Sequence, residues 1–474
     1  MSDATTTLPA VRIGADGRRR VDARAVLRLA APLMVTNAIQ AALNLTDTWF
    51  IGRISTEAVA AMGSIYWLMT AVIFLLGGVG FAVQSFVSQA YGGGRRVRAA
   101  QAAWNGIWAG LACWPLFALV AWSGVALLRP FSLDPSIQGL AIAYWEPRMY
   151  GAVLGTLGWA MMSFFNGIGA TRITLMVAVV TLLANIPANH YFMSELGFGM
   201  AGAAYGTNAA QALGLLVGAA FFLGPRYAGR YRTRLVWRPT PSIIRRQLAV
   251  GLPVGVTYAA DVLGVALMQM MVTQVGNVGA AATQVVMMLT SLAYMPTLGL
   301  ASAGTTVVGQ AIGAGDRDWA AQIGTFVTRC CAGLMLGMAL LLLLLSPWLL
   351  PGFLAGGDAS AGEAIALALL LLWPAAAYQF FDGLYFGSSF ALRATGDTAM
   401  PARTALLLSW LFFLPLAHTL VFTAEQAWVP GLPQAGLGAL GGWIALMAYA
   451  MLLGTLMYRR WRSERWRRID LWGR

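Results

Sequence analysis

Lysine is absent from the 474 residues, and charge of either sign is scarce: Asp, Glu, Lys and Arg make up 10% of the chain, where a soluble domain carries about 25%. Without lysine there is no P-loop to grip nucleotide phosphates and no amine for Schiff-base chemistry. Work against a gradient must then draw on an ion gradient or another subunit. The three cysteines, Cys113, Cys330 and Cys331, fall inside apolar stretches, which gives no CxxC metal spacing and no disulfide framework; they read as small packing residues. Two histidines, each alone in its half, and no HExxH argue against an intramembrane enzyme. The head lacks an apolar core followed by a small-residue cleavage site, so no signal peptide is expected.

What is present is apolar. Hydrophobic residues are 59% of the chain and mean hydropathy is +0.68. At about 20 residues per helical span, the length suits a dozen membrane helices with short loops. Apolar windows punctuated by Gly, Pro and Arg predict helices near 27–51, 58–90, 101–127, 137–168, 173–194, 200–223, 247–275, 279–311, 319–346, 362–393, 402–424 and 435–458. The expectation is an all-α integral membrane protein with a basic head (1–26), an N-lobe of six helices (27–224), a basic linker (225–246), a C-lobe of six helices (247–458) and a basic tail (459–474).

The net charge of +13 is unevenly spread. With both ends on one side, that side collects Arg12, Arg18 to Arg20, Arg24, Arg28, the Arg95/Arg96/Arg98 loop, Arg172, Arg226 to Arg246, Arg317, Arg393, Arg403 and the tail from Arg459. The other side keeps little beyond Arg53 and Arg129. The positive-inside rule then places both termini in the cytoplasm. Arginine is thus an orientation signal, and no nucleic-acid partner is expected. The tail RRWRSERWRR reads as a solvated stop signal, with an amphipathic segment on anionic lipid as the alternative.

The chain repeats itself. At an offset of 221 residues Pro32 pairs with Pro253, Thr36 with Thr257, Gly78 with Gly299, Gln89 with Gln310 and Gly92 with Gly313. An offset of 228 pairs Trp145 with Trp373, Tyr150 with Tyr378, Pro187 with Pro415 and His190 with His418; the intervening loop fits better at 227. Six helices per half is an even number, so the two bundles share an orientation and the repeat is parallel. Most repeated residues suit close helix packing. The histidines read as interfacial or packing residues, with proton carriage as the alternative.

A carboxylate at the centre of a membrane helix costs about 2.5–3.5 kcal/mol on insertion scales and so marks function by default. Three stand out: Asp47 in helix 1, Asp261 in helix 7 and Asp382 in helix 10. Asn44 shares a helix face with Asp47 by the three-residue spacing, and Asn185 and Asn189 on helix 5 could complete a polar cluster there. Tyr378 precedes Asp382 by one turn and points the same way. Asp261 and Asp382 in one bundle repel each other, so the pair must take a proton or hold a cation. Gln284 in helix 8 is a weaker candidate. Glu146 and Arg148 on helix 4 are two apart and cannot face each other; snorkelling or a bridge to another helix is expected.

On these residues the chain resembles the multidrug and toxic compound extrusion (MATE) family, over residues 25–458. The resemblance is carried by Asp47, Phe50 and Gly52 with Ala60 and Ala61, by Gly251 to Pro253, by VGQAIGAGD at Val308 to Asp316, and most specifically by ALRATGDTAMP at Ala391 to Pro401. NIPAN at Asn185 to Asn189, and Asp382 with Tyr378, look like the NorM-type branch. The resemblance implies a monomeric bacterial inner-membrane antiporter, conferring antibiotic resistance, that expels organic cationic or amphipathic drugs against entry of protons or sodium, with no further cofactor. It assigns the second-lobe cation site, with a possible Na+ at Asp261 and Asp382, to those two acids and Tyr378, and the first-lobe role to Asp47. Position 261 is Asp where that branch usually has Glu, and position 189 is Asn where archaeal-type relatives have an acid. Sodium wants several hard oxygen ligands and a proton needs one carboxylate, so protons are the favoured coupling ion. A lipid-linked precursor flippase of related fold would carry several central arginines, of which only Arg148 and Arg329 are candidates. A major-facilitator transporter would carry an acid in the loop that here reads YGGGRRVR, Tyr91 to Arg98.

Overall fold

The computed structural model describes residues 8–129, 134–353, 359–429 and 431–473. The first bundle holds α1 (Ala23–Gly52), α2 (Thr56–Gly92), α3 (Arg96–Ala112, resumed as Trp114–Trp122), α4 (Pro135–Gly167), α5 (Thr171–His190) and α6 (Gly199–Leu223). The second holds α7 (Pro241–Val275), α8 (Asn277–Gly313), α9 (Arg317–Phe353), α10 (Ala359–Thr395), α11 (Ala399–Leu408, resumed as Leu414–Val421) and α12 (Gly438–Arg462). Eleven of them, among the described residues, are long and apolar enough to cross a membrane. The twelfth, α4, carries Glu146 and Arg148 in mid-helix. The interruptions have local causes: Pro115, which has no N–H to donate, opens the second piece of α3, and single π turns follow α5 at Tyr191–Glu195 and divide α11 at Ser409–Phe413.

The bundles repeat each other's packing. In the first, α2 lies on α4 and α4 on α6; in the second, α8 lies on α10 and α10 on α12. The kinks repeat too: Thr36 Oγ1 donates to Pro32 O (2.8 Å) in α1 and Thr257 Oγ1 to Pro253 O (2.9 Å) in α7, a back-bond that bends helices.

The described contacts between the halves gather at the arginine-rich end. A Cβ on Gly78 of α2 would lie 2.4 Å from Gly255 N in α7, and one on Gly299 of α8 would lie 2.4 Å from Met34 N in α1. Nearer the surface α2 crosses α8, where a Cβ on Gly92 would meet Gln310 O at 2.0 Å and one on Gly313 would meet Gln89 O at 2.0 Å. Only glycine permits backbones so close. The glutamine amides then reach across: Gln89 Nε2 donates to Ala394 O (2.8 Å) and Gln310 Nε2 to Gly167 O (2.9 Å). Toward the other end the described contacts between the halves thin out, and Leu45 and Trp49 of α1, Met270 of α7, and Met288 and Leu292 of α8 are exposed. The halves therefore form a V, sealed on the arginine-rich face.

Three segments differ from expectation. The head contains an antiparallel β-hairpin, β1 (Val11–Ile13) with β2 (Arg19–Val21), turned at Gly17 with φ +70° and tied to the second bundle by Arg19 and Asp316 (2.8 Å). In the linker, Pro225–Tyr231 is a short helix. The tail keeps Arg459, Arg462, Arg465 and Arg468 exposed, as a solvated segment would, but it is pinned to the protein: Trp466 is buried, stacked on Trp461 with ring centroids 4.7 Å apart, and Arg467 pairs with Asp318 (2.6 Å). Beyond it Leu471 is buried in the first bundle's core, and Trp472 packs edge-on against Phe86 of α2 (5.5 Å). The tail so crosses from one half to the other on the sealed face.

Candidate functional site

Each bundle encloses one acidic centre. In the first, Asp47 of α1 is 6% exposed and its carboxylate accepts from three neutral donors. Asn189 Nδ2 and Asn185 Nδ2 of α5 donate to Oδ1 at 2.8 and 3.0 Å, and Thr207 Oγ1 of α6 donates to Oδ2 at 2.8 Å. Gly206 makes this possible, since a Cβ there would sit 2.1 Å from Asn189 Oδ1; without one, α5 and α6 close up around the carboxylate. An ionised carboxylate is acceptor-only, and this donor set matches it.

Arg148 of α4 contributes charge from a distance. Its guanidinium donates to Asn208 Oδ1 (3.0 Å) and Gln211 Oε1 (3.4 Å) of α6, and its field reaches Asp47. The expected bridge to another helix is therefore present, while Glu146 is exposed. Asn44 does not join the cluster. It faces away, exposed, with Nδ2 3.4 Å from Tyr66 Oη, because a three-residue step rotates the side chain by 300° and leaves it on the edge of the buried stripe.

The second centre is built from tyrosines. Asp261 of α7 accepts from Tyr449 of α12 at 2.6 Å through Oδ1 and from Tyr385 of α10 at 2.7 Å through Oδ2. Asp382 of α10 lies within the field of Asp261 and makes no described side-chain hydrogen bond. Tyr378 is near enough to feel Asp382, but its hydroxyl engages Thr290 of α8 and its ring tilts against Trp443 (6.2 Å). The structure thus brings the two acids together and turns the expected tyrosine aside. Gln284 lies apart, exposed and hydrogen-bonded to Gln269.

Sequence reasoning missed Thr207, Tyr385, Tyr449 and Arg393. Tyr385 stands seven residues, two turns, after Tyr378 on the same face, a spacing that could have flagged it. Thr207 sits in a run of small residues, and Tyr449 has no sequence signal. Arg393, counted with the loop arginines, is 5% exposed inside the second bundle, whereas Arg329 is exposed. The histidines serve neither centre. His190 is exposed 3.6 Å from Glu195, and buried His418 accepts at Nε2 from Val429 N (3.1 Å).

Between the centres, at the apex of the V, Phe74 and Phe81 of α2, Trp159 of α4 and Tyr258 of α7 form an aromatic floor. Trp159 stacks on Phe81 with centroids 4.5 Å apart, and Tyr258 lies 5.6 Å from Phe81.

The chain matches the MatE family model twice, over residues 32–191 and 253–419. It is 27% identical over 445 residues to a protein of Agrobacterium fabrum, covering 91% of this chain and 92% of the relative, and 28% identical over 464 residues to one of Pseudomonas aeruginosa, covering 94% and 90%. Both relatives bear the name "Probable multidrug resistance protein NorM". Among solved structures, a MOP superfamily transporter from Pyrococcus furiosus superposes with TM-score 0.81 at 20% identity, covering 93% of this chain and 95% of that one. A multidrug resistance MATE family transporter described as outward-facing superposes with TM-score 0.80 at 20% identity and the same coverage.

Proposed function

The chain belongs to the MatE family of multidrug efflux transporters, and from that premise we propose that it exports organic cationic or amphipathic compounds in exchange for inward protons, with sodium as the alternative ion. The observation that carries this reading is the pair Asp261 and Asp382, half-buried side by side with no arginine bonded to either among the described residues. Two charges so placed cannot both stay ionised at low cost. The pair takes up a proton, a metal cation or a cationic drug, and these compete. Both oxygens of Asp261 already accept tyrosine hydroxyls, which takes up lone pairs sodium would use and holds Asp261 ionised; a proton then falls most readily on Asp382, which no described side chain meets.

Alternating access supplies the rest. The arginine-rich face reads as cytoplasmic by the positive-inside rule, with both termini there and the protein in the bacterial inner membrane. The V then opens outward. Ion binding moves drug only if the outward and inward packings differ in affinity for it, and the acids lie in the bundles that the V separates. No other subunit is invoked, and the working unit is one chain.

The test is efflux from proteoliposomes under an imposed proton or sodium gradient, for wild type, Asp47→Asn and Asp382→Asn. Proton-driven efflux lost in Asp382→Asn is the expected result. Efflux driven by sodium alone at constant pH would reverse the ion, and wild-type rates in both variants would overturn the site.

A further inference from the structure

A second feature of the C-lobe lies between its acids and the sealed face. Beside Tyr385, the partner of Asp261, lies a half-open cavity of about 30 Å3, bordered among others by Tyr258, Ser389, Arg393, Asp397 and Thr398. A cavity needs roughly 10–15 Å3 on this measure to hold a water, with two to four polar partners. The partners are at hand. Arg393 Nε and Ser389 Oγ are buried with no hydrogen-bond partner among the described residues, an expensive state for polar atoms. Arg393 is otherwise held by Phe390, whose ring centroid lies 4.0 Å from Cζ, by Thr305 Oγ1 at 3.5 Å and by the Tyr258 hydroxyl. Among the described residues no carboxylate pairs with it: the neighbouring Asp397 is bound to Arg460 at 2.7 Å.

The upper wall of the cavity is Tyr385, whose hydroxyl donates to Asp261. The lower wall, Asp397 and Thr398, is the start of the α10–α11 connection on the arginine-rich face. We propose that this cavity is a water-filled proton passage from Asp261 to that face, in which Ser389 and Arg393 are positioning residues that hold the water. The inference rests on the proton-coupled reading above.

The relay conserves protons. Protonated Asp261 gives its proton to Tyr385 Oη while Tyr385 passes its own to the cavity water, and the water releases one to bulk solvent beyond Thr398. Each O–H bond broken is matched by one formed, and Asp261 is left ionised. The other titratable groups facing Asp261 are Tyr258 from α7, Asp382 from α10, Tyr294 from α8 and Tyr449 from α12; of these Tyr258 alone lines the cavity, with its hydroxyl on Arg393. A fixed guanidinium beside the water raises the energy of any cation there, a proton included, so a proton crosses as a brief hop and does not rest in the cavity.

The test compares two variants of equal size at one position, Ser389→Val and Ser389→Thr. Reconstituted protein is assayed for drug efflux driven by a proton gradient, with kcat and KM separated and the rates repeated in D2O. Losing the one hydroxyl that holds the water should lower kcat about tenfold in Ser389→Val, with KM for drug unchanged and a larger solvent isotope effect, while Ser389→Thr keeps wild-type rates. Equal behaviour of the two variants, or a change confined to KM, would overturn the passage. Should Ser389→Val fail to fold, Ser389→Ala replaces it with the same expectation. A wild-type protein indifferent to the proton gradient overturns the proton-coupled reading itself, and the passage with it.

Discussion

The two acidic centres occupy bundles of the same plan, yet they are made from different chemistry. Asp47 is fully met by neutral donors, two amides and one hydroxyl, with Arg148 adding a distant positive field. Asp261 is met by two tyrosines, and Asp382 beside it by none. The first is a carboxylate the fold has satisfied; the second is a pair the fold has left one charge short. Duplication has preserved the kinks, the small-residue contacts and the sealed seam, and has let the polar residues diverge. On the proposed reading, ion coupling would be concentrated in the second bundle, with Asp47 in a supporting role.

Asp382→Asn is the sharpest way to break that contrast. It removes the unmet charge, and gradient-driven efflux in proteoliposomes should fall by at least about tenfold because the ion loses its preference between the two packings. Asp47→Asn should cut efflux less and stability more, since three donors then face an amide. The loss of hydrogen bonds to a charged group is worth about 1.5–3 kcal/mol each, read as a lowered melting temperature in detergent. If Asp47→Asn abolished ion dependence as completely as Asp382→Asn, the asymmetry would be wrong.

Smaller changes refine it. Tyr385→Phe and Tyr449→Phe each remove one donor to Asp261 and should alter the pH dependence of efflux, whereas Tyr378→Phe, whose hydroxyl is spent on Thr290, should leave it in place. Thr207→Val should cost stability without moving the pH profile. At the bottom of the scale, Asn44→Ala and Gln284→Ala lie outside both centres, and efflux within about twofold of wild type is expected, as for ordinary exposed substitutions.

How far these features could be read from residues alone follows from the range of the interaction involved. The spans are local and additive, so hydropathy located them; α4 is found by its flanks despite Glu146 and Arg148. Their ends were less legible: α7 starts at Pro241 and α9 runs to Phe353, beyond the expected 247 and 346, because helices continue past the apolar core into the interface. Asp47 with Asn185 and Asn189 emerged from intramembrane polarity and a four-residue spacing. Thr207, Tyr385 and Tyr449 did not, because a tyrosine or threonine in a membrane helix costs little and so carries no warning until the bundle closes around a carboxylate. Part of the tail misled for the opposite reason: six arginines around two tryptophans look amphipathic, and only the fold reveals that Trp466 has a buried partner in Trp461.

The crossing of α2 and α8 has the form of a two-fold dimer contact folded into one chain. Gly92 receives Gln310 as Gly313 receives Gln89, and each glutamine caps a carbonyl in the opposite half. Such an interface is isologous: the patch that binds is the patch that is bound. A free-standing six-helix half with this surface could pair with a parallel copy of itself through it. In the fused chain each contact is paid for separately, so one substitution breaks one side of the clasp and leaves its mate closed, a graded loosening that a true homodimer could never show.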